Sequence, residues 1–237
     1  MAFAGGESSS PRLALEIAAR LHRAGRPERL SLRVHRWDLE CVAVKSFEDY
    51  LHDAEIAHGH LCAGQILGVR LALVGLKKLG IEEPQGKDRK RLVTFVEIDR
   101  CATDAVAVVT GCRLGKRALK FRDWGKMAAT FVDVSTGKAI RVAAKESSKA
   151  LARQMHPELE NKNWQQMAAY REMSDEDLFT TQWVKVDLPP EEFPGYKGDR
   201  IVCELCGEGI NFRREVRRNG KILCRSCAGE NYYTSAT

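Results

Sequence analysis

No stretch of the chain approaches the roughly 20 consecutive apolar residues of a bilayer-spanning helix, so no membrane contact is expected. The first ten residues are small and polar and lack the apolar core of a secretory signal. Both absences point to a cytoplasmic protein. No internal repeat is visible. A secreted disulfide framework is also missing. Of eight cysteines, Cys203, Cys206, Cys224 and Cys227 form two Cys-x-x-Cys pairs, a spacing that fits metal better than staples. Cys41, Cys62, Cys101 and Cys112 stand apart.

What is present is a chain of 237 residues, long enough for one large domain or two modest ones. Hydrophobic residues at 44% allow a real core, and charged residues at 30% suit a solvated surface. The net charge is +6, much of it in Lys87–Arg91 and Arg213–Arg218. Such clusters can attract nucleic acid or another acidic partner. A solvated basic surface is the preferred reading.

Local pattern divides the chain into four parts. Residues 1–45 form an N-terminal extension, with residues 1–10 expected to be disordered, a short amphipathic helix over 11–22 and an extended segment over 30–44. An α+β domain follows over 46–188, then a proline-marked linker over 189–198 and a zinc module over 199–237. Ser46 and Asp49 resemble a capping box, so a helix starts at Phe47 and ends near His58-Gly59-His60. A second helix over 64–79 has almost no polar face, so it must be buried. Its apolar surface needs cover on every side, and a second copy of the chain could supply some of it, hence an expected homodimer. A strand over 91–98 and a helix over 103–110 ending at Gly111 come next. Three strands complete the sheet, near 118–122, 127–134 and 139–144, the last two joined in a hairpin. Helices over 146–155 and 159–173, a short helix over 175–179 capped by Ser174 and a strand over 183–188 finish the domain. The fold class is therefore α+β: a small mixed sheet with packed helices, plus a C-terminal four-cysteine finger.

The finger is the most specific signal. Cys203 and Cys206 are separated by seventeen residues from Cys224 and Cys227. Each pair grips from a tight turn, and two pairs complete a tetrahedron of thiolates around structural zinc. An iron centre or redox-active thiols are the alternatives. With all four positions filled by sulfur, this ion is not catalytic.

A second constellation is His58-Gly59-His60-Leu61-Cys62. Alternate side chains of an extended loop point one way, and imidazole with thiolate suits zinc, iron or copper. The competing reading makes the histidines caps and Cys62 a small packed residue. Cys101, just before the third helix, adds a thiol where the helix dipole favours thiolate. Asp104 is either part of the site or a helix-start carboxylate. Cys112 lies about 13–16 Å from Cys101 at about 1.5 Å per helical residue, so the two cannot share one metal. Gly111-Cys112-Arg113-Leu114-Gly115-Lys116 is not a Walker motif, because Arg117 stands where Ser or Thr is required. Lys116 could still hold an anion.

Taken together, His58-Gly59-His60-x-Cys62-x-Gly64, Cys101-x-x-Asp104-Ala105, Thr110-Gly111-Cys112-x-x-Gly115-Lys116 and Asp123-x-Gly125-Lys126 resemble the FmdE family, a family associated with formylmethanofuran dehydrogenases. The resemblance covers about residues 46 to 186, and the finger is similar to the DksA/TraR type. Ala63, Ala107, Arg113 and Ala118 depart from the residues usual at those positions.

The resemblance implies that family's α+β domain, and a second metal, zinc or iron, around His58, His60, Cys62 and Cys101. Cys112, Lys116 and Asp104 are the candidates for contacting a cofactor or substrate. It further implies a metal-binding accessory protein whose partners are subunits of a molybdenum- or tungsten-dependent formylmethanofuran- or formate-type oxidoreductase. Two other functions stay open: a stand-alone metalloenzyme acting on a small anionic substrate, and a nucleic-acid-binding regulator working through the finger.

Overall fold

The computed structural model describes residues 45–234 and 236. The helix expected over 11–22, the extended segment over 30–44 and Cys41 lie outside them. Among the described residues no helix is long and apolar enough to cross a membrane.

Helix α1 (Phe47–His58) opens with the expected capping box, Ser46 and Asp49 each bonding the other's backbone, and closes on Gly59 in the left-handed region. Helix α2 (Ala63–Leu79) is the core of the domain, with eleven of its residues buried. Strand β1 (Leu92–Val96) leads to α3 (Cys101–Thr110). A single 3-10 turn (Leu114–Lys116) precedes β2 (Leu119–Phe121), and β3 (Ala128–Asp133) and β4 (Ala139–Ala144) form the hairpin. Helices α4 (Ser147–Met155), α5 (Lys162–Glu172) and α6 (Asp175–Leu178) precede β5 (Phe179–Val184).

The five strands form one sheet in the order β2-β1-β3-β4-β5. Only the β1–β2 pair is parallel, so the sheet is mixed. One face buries Leu92, Val96, Phe131, Ile140 and Val142 against the helices. The other carries a smaller cluster of Val93, Val132 and Ala139, covered by Phe95, Val184, Val186 and Leu188. Helix α2 is thus enclosed by its own chain, and the homodimer expectation loses the packing argument that motivated it.

Three of the boundaries that differ from expectation do so for a local reason. Helix α3 begins at Cys101 rather than Thr103, because Arg100 is the extended cap residue. Helix α5 begins at Lys162 rather than Leu159, because the Asn161 side chain accepts from the Asn163 N–H and sets the start there. Strand β5 runs over Phe179–Val184 instead of 183–188. The alternation of Val184, Val186 and Leu188 is real, and these side chains pack on the sheet's second face. The pairing with β4, however, runs from Phe179 to Val184.

A buried ion pair ties the end of β1 to β4. Arg141 donates from Nε and Nη2 to the two Glu97 oxygens at 2.7 and 2.6 Å, and Glu97 is 2% exposed. Removing one partner of a buried pair leaves an uncompensated charge, a loss of about 3–5 kcal/mol. Arg141→Met is expected to lose about that much stability in urea unfolding. A loss under about 1 kcal/mol would show that Glu97 finds another partner.

Beyond β5, a short turn (Pro190–Glu192) is held to the sheet: Lys120 Nζ donates to the Glu192 carboxylate at 2.6 Å, and Arg117 donates to the Glu191 carbonyl. The finger consists of two small hairpins, β6 (Ile201–Val202) with β7 (Gly209–Ile210), and β8 (Val216–Arg218) with β9 (Lys221–Leu223). The Arg117 guanidinium lies over the Phe212 ring, 3.6 Å from its centroid.

Candidate metal centre

In the finger, the ligand atoms of Cys203, Cys206, Cys224 and Cys227 lie within 4.8 Å of one another. Cys206 Sγ and Cys224 Sγ are 3.9 Å apart. A tetrahedron with metal–sulfur bonds of about 2.3 Å has edges of about 3.8 Å, so the cluster fits one zinc ion. Backbone N–H groups already face the sulfurs: Cys224 N–H donates to Cys203 Sγ, and Cys227 N–H to Cys224 Sγ. The N–H groups of Cys206 and Cys224 pull the Cys203 thiol down to about 6. The neighbouring Cys224 sulfur, and then burial, push Cys227 up to about 12. A metal must therefore displace protons as it enters.

The second group forms where α2 meets α3. His58, Cys62 and Cys101 bring one ligand atom each within 4.8 Å of one another. Three local features place them. His58 ends α1, Cys62 is the extended N-cap of α2 without a side-chain cap bond, and Cys101 is the first residue of α3. The helices approach closely because of glycine: a Cβ on Gly68 would stand 2.5 Å from the Ala102 carbonyl oxygen, and one on Gly64 3.0 Å from Cys101 Cβ. The fully buried Gln65 donates from Nε2 to the Cys101 carbonyl at 2.6 Å and fixes the start of α3.

Asp104, one turn into α3, accepts from His58 Nδ1 at 2.8 Å. That bond puts the proton on Nδ1 and leaves the Nε2 lone pair for a metal. His60 is exposed, with its ring centroid 4.8 Å from that of His58. Of the four expected ligands, His58, Cys62 and Cys101 converge, and His60 stands beside them outside that group. Burial, followed by hydrogen bonding to Cys62, pushes the Cys101 thiol above its ordinary value.

The other candidates lie elsewhere. Cys112 is buried at the far end of α3, where Thr94 Oγ1 donates to its sulfur at 3.5 Å, and burial raises its thiol. Lys116 is exposed on the 3-10 turn. Neither lines the cavity beside the second group. That cavity, about 380 Å³, is lined by His60, Cys62 and Cys101 and by residues of α4 and α5. Arg100, Lys145 and Lys149 line it too. They carry no motif spacing, and only the fold assembles them.

On the finger, several of the arginines that could have met nucleic acid have partners. Arg214 reaches Glu192 at 3.9 Å, Arg217 reaches Glu215 at 3.7 Å, and Arg218 donates to the Ala228 carbonyl at 3.3 Å.

The Asp104 contact makes a direct prediction. Asp104→Asn is expected to weaken metal binding at the second group about 10- to 100-fold, because the imidazole loses its orienting carboxylate. Competition with a chelator measures it. An unchanged affinity would remove His58 from the ligand set.

Comparison with known proteins agrees with this architecture. The family described as "FmdE, Molybdenum formylmethanofuran dehydrogenase operon" matches residues 57–180. A prokaryotic dksA/traR C4-type zinc finger matches residues 196–233. A curated relative in Archaeoglobus fulgidus, a probable S-adenosyl-L-methionine-binding protein, is 34% identical over 74% of this chain and 51% of its own length. The chain thus spans about half of that relative. A crystal structure of a tungsten formylmethanofuran dehydrogenase FmdE-like protein from Syntrophus aciditrophicus aligns with a TM-score of 0.55 and 24% identity. The alignment covers 80% of this chain and 96% of the other.

Proposed function

The chain belongs to the FmdE family, and on that premise we propose that it is a metal-binding accessory protein of a molybdenum- or tungsten-dependent formylmethanofuran- or formate-type oxidoreductase. It holds zinc or iron at His58, Cys62 and Cys101, and a structural zinc in the finger. One observation carries the reading: two sulfurs and an imidazole converge, and the residues that bear the two sulfurs line a cavity. Three protein ligands leave a fourth position for water or an incoming group, the stoichiometry of a reactive rather than a structural site. The zinc finger and the surface around it would then serve recognition of the larger enzyme. Co-expression with such an oxidoreductase tests the role. A complex that survives size-exclusion chromatography, or an oxidoreductase whose metal content depends on this chain, is expected. Separate elution with unchanged metal content would contradict it.

The cavity favours a second reading, a stand-alone metalloenzyme acting on a small anionic substrate. Turnover of such a substrate by the isolated chain would decide for it. S-adenosyl-L-methionine, from the name of the Archaeoglobus relative, is the natural comparison ligand. Its sulfonium is cationic, and the cavity already carries a surplus of cations, so it is expected to bind more weakly than a small anion.

A further inference from the structure

We infer that the cavity beside the second group is a subsite for a small carboxylate with an apolar body, its carboxylate held by Arg100 and Lys145. The inference rests on the metal reading only for what the bound ligand lies beside.

The charge inventory comes first. Three cations line the cavity, Arg100, Lys145 and Lys149, against one carboxylate, Glu146. Glu146 is taken, because Lys149 Nζ donates to its two oxygens at 2.8 and 3.0 Å. Arg100 and Lys145 remain. Among the described residues no carboxylate lies within 4.0 Å of either charged group. Lys145 Nζ donates to the Glu176 carbonyl at 2.5 Å, a neutral acceptor that positions the ammonium without cancelling its charge. An ammonium has three protons, so two stay available. The Arg100 guanidinium supplies a planar fork, which matches a carboxylate with two parallel hydrogen bonds.

Size and wall chemistry narrow the ligand further. A volume of about 380 Å³ falls at the small end of the range of about 300–1,000 Å³ that ligand pockets occupy. Ala63, Gly64, Leu67, Ala102, Met127 and Ala144 present mostly hydrocarbon, which suits an apolar body. Ser148 and Tyr170, both buried, add polar groups on the α4–α5 side. Cys62 and Cys101 line the same cavity, and Arg100 directly precedes Cys101, so a bound carboxylate would lie beside the second group.

The test is a calorimetric titration of the metal-loaded full chain with acetate, butyrate, benzoate and succinate. Their uncharged amides and inorganic phosphate serve as controls. At least one carboxylate is expected to bind at least tenfold more tightly than its amide and than phosphate. Arg100→Gln and Lys145→Gln are each expected to weaken that binding at least tenfold while both metals stay bound; the glutamine at 145 can still donate to the Glu176 carbonyl. Failure of all four carboxylates, equal binding of the amides, tighter binding of phosphate, or affinity unchanged in both variants would overturn the inference. Metal content separates the two readings. If the wild-type chain carries no second metal but its carboxylate binding depends on Arg100 and Lys145, the metal reading falls and the subsite stands. If Cys62→Ser loses the metal and carboxylate affinity survives, both stand, and the cations alone anchor the ligand.

Discussion

Cys62→Ser is expected to empty the second metal group without unfolding the protein. Two effects with opposite signs make this substitution informative. Serine's neutral hydroxyl is a poor replacement for a thiolate, so the site drops to His58 and Cys101, too few to hold zinc or iron firmly. At the same time Cys62 is the N-cap of α2, in extended geometry and without a side-chain cap bond. Serine is among the preferred caps, worth about 0.5–2 kcal/mol over a residue that cannot cap. The helix start should therefore hold or improve while metal is lost. Circular dichroism should be unchanged, and the metal-dependent rise in melting temperature should shrink to the part due to the finger. A collapse of the whole domain would mean that Cys62 acts through packing.

Cys206→Ser is expected to release the finger's zinc, unfold residues 199–237 and leave the α+β domain folded. The finger buries only Cys203, Ile210 and Leu223 as a cluster, with four partly buried neighbours around them. Its strands are two or three residues long. So little apolar surface cannot offset the ordering of the chain. Zinc binding by four thiolates, about 10–16 kcal/mol in isolated finger peptides at neutral pH, can. The α+β domain has its own core around α2 and keeps it. Limited proteolysis should therefore remove the C-terminal segment from the variant and spare the rest. Acidification acts in the same direction, because zinc competes with thiol protons and occupancy falls as pH falls. Full zinc retention by the variant would contradict the four-cysteine assignment.

The features that were legible in the sequence are the ones written in local chemistry. The Ser46–Asp49 box, the glycines that close α1, α2 and α3, the β3–β4 hairpin and the Cys-x-x-Cys pairs each depend on residues a few positions apart. The apolar run of α2 marked it as buried, but could not say by what. The answer, α1, α3, α5 and the sheet, comes from long-range packing, and it removed the argument for a second copy. Strand β5 was misplaced because Val184, Val186 and Leu188 carry the clearest alternation, whereas its paired residues Thr180, Thr181 and Gln182 are exposed on an edge strand. The Glu97–Arg141 pair spans 44 positions and has no local signature.

The same division holds at the candidate site. Cys62 and Cys101 were readable as ligand types. That His58 rather than His60 joins the two cysteines was not readable. It follows from the helix ending at His58 and from Asp104 reaching back to it across 46 residues. The cationic wall of the cavity was equally hidden, since Arg100 and Lys145 come from separate elements and neither belongs to a motif.

The metal content of the chain tests the central claim most directly. The wild type, Cys62→Ser and Cys206→Ser should be purified anaerobically and counted by elemental mass spectrometry against protein concentration. The account predicts two metal ions per wild-type chain and one in each variant, with zinc retained in the finger when Cys62 is replaced. A wild-type chain with a single zinc, lost on replacing Cys206 and untouched on replacing Cys62, would contradict it.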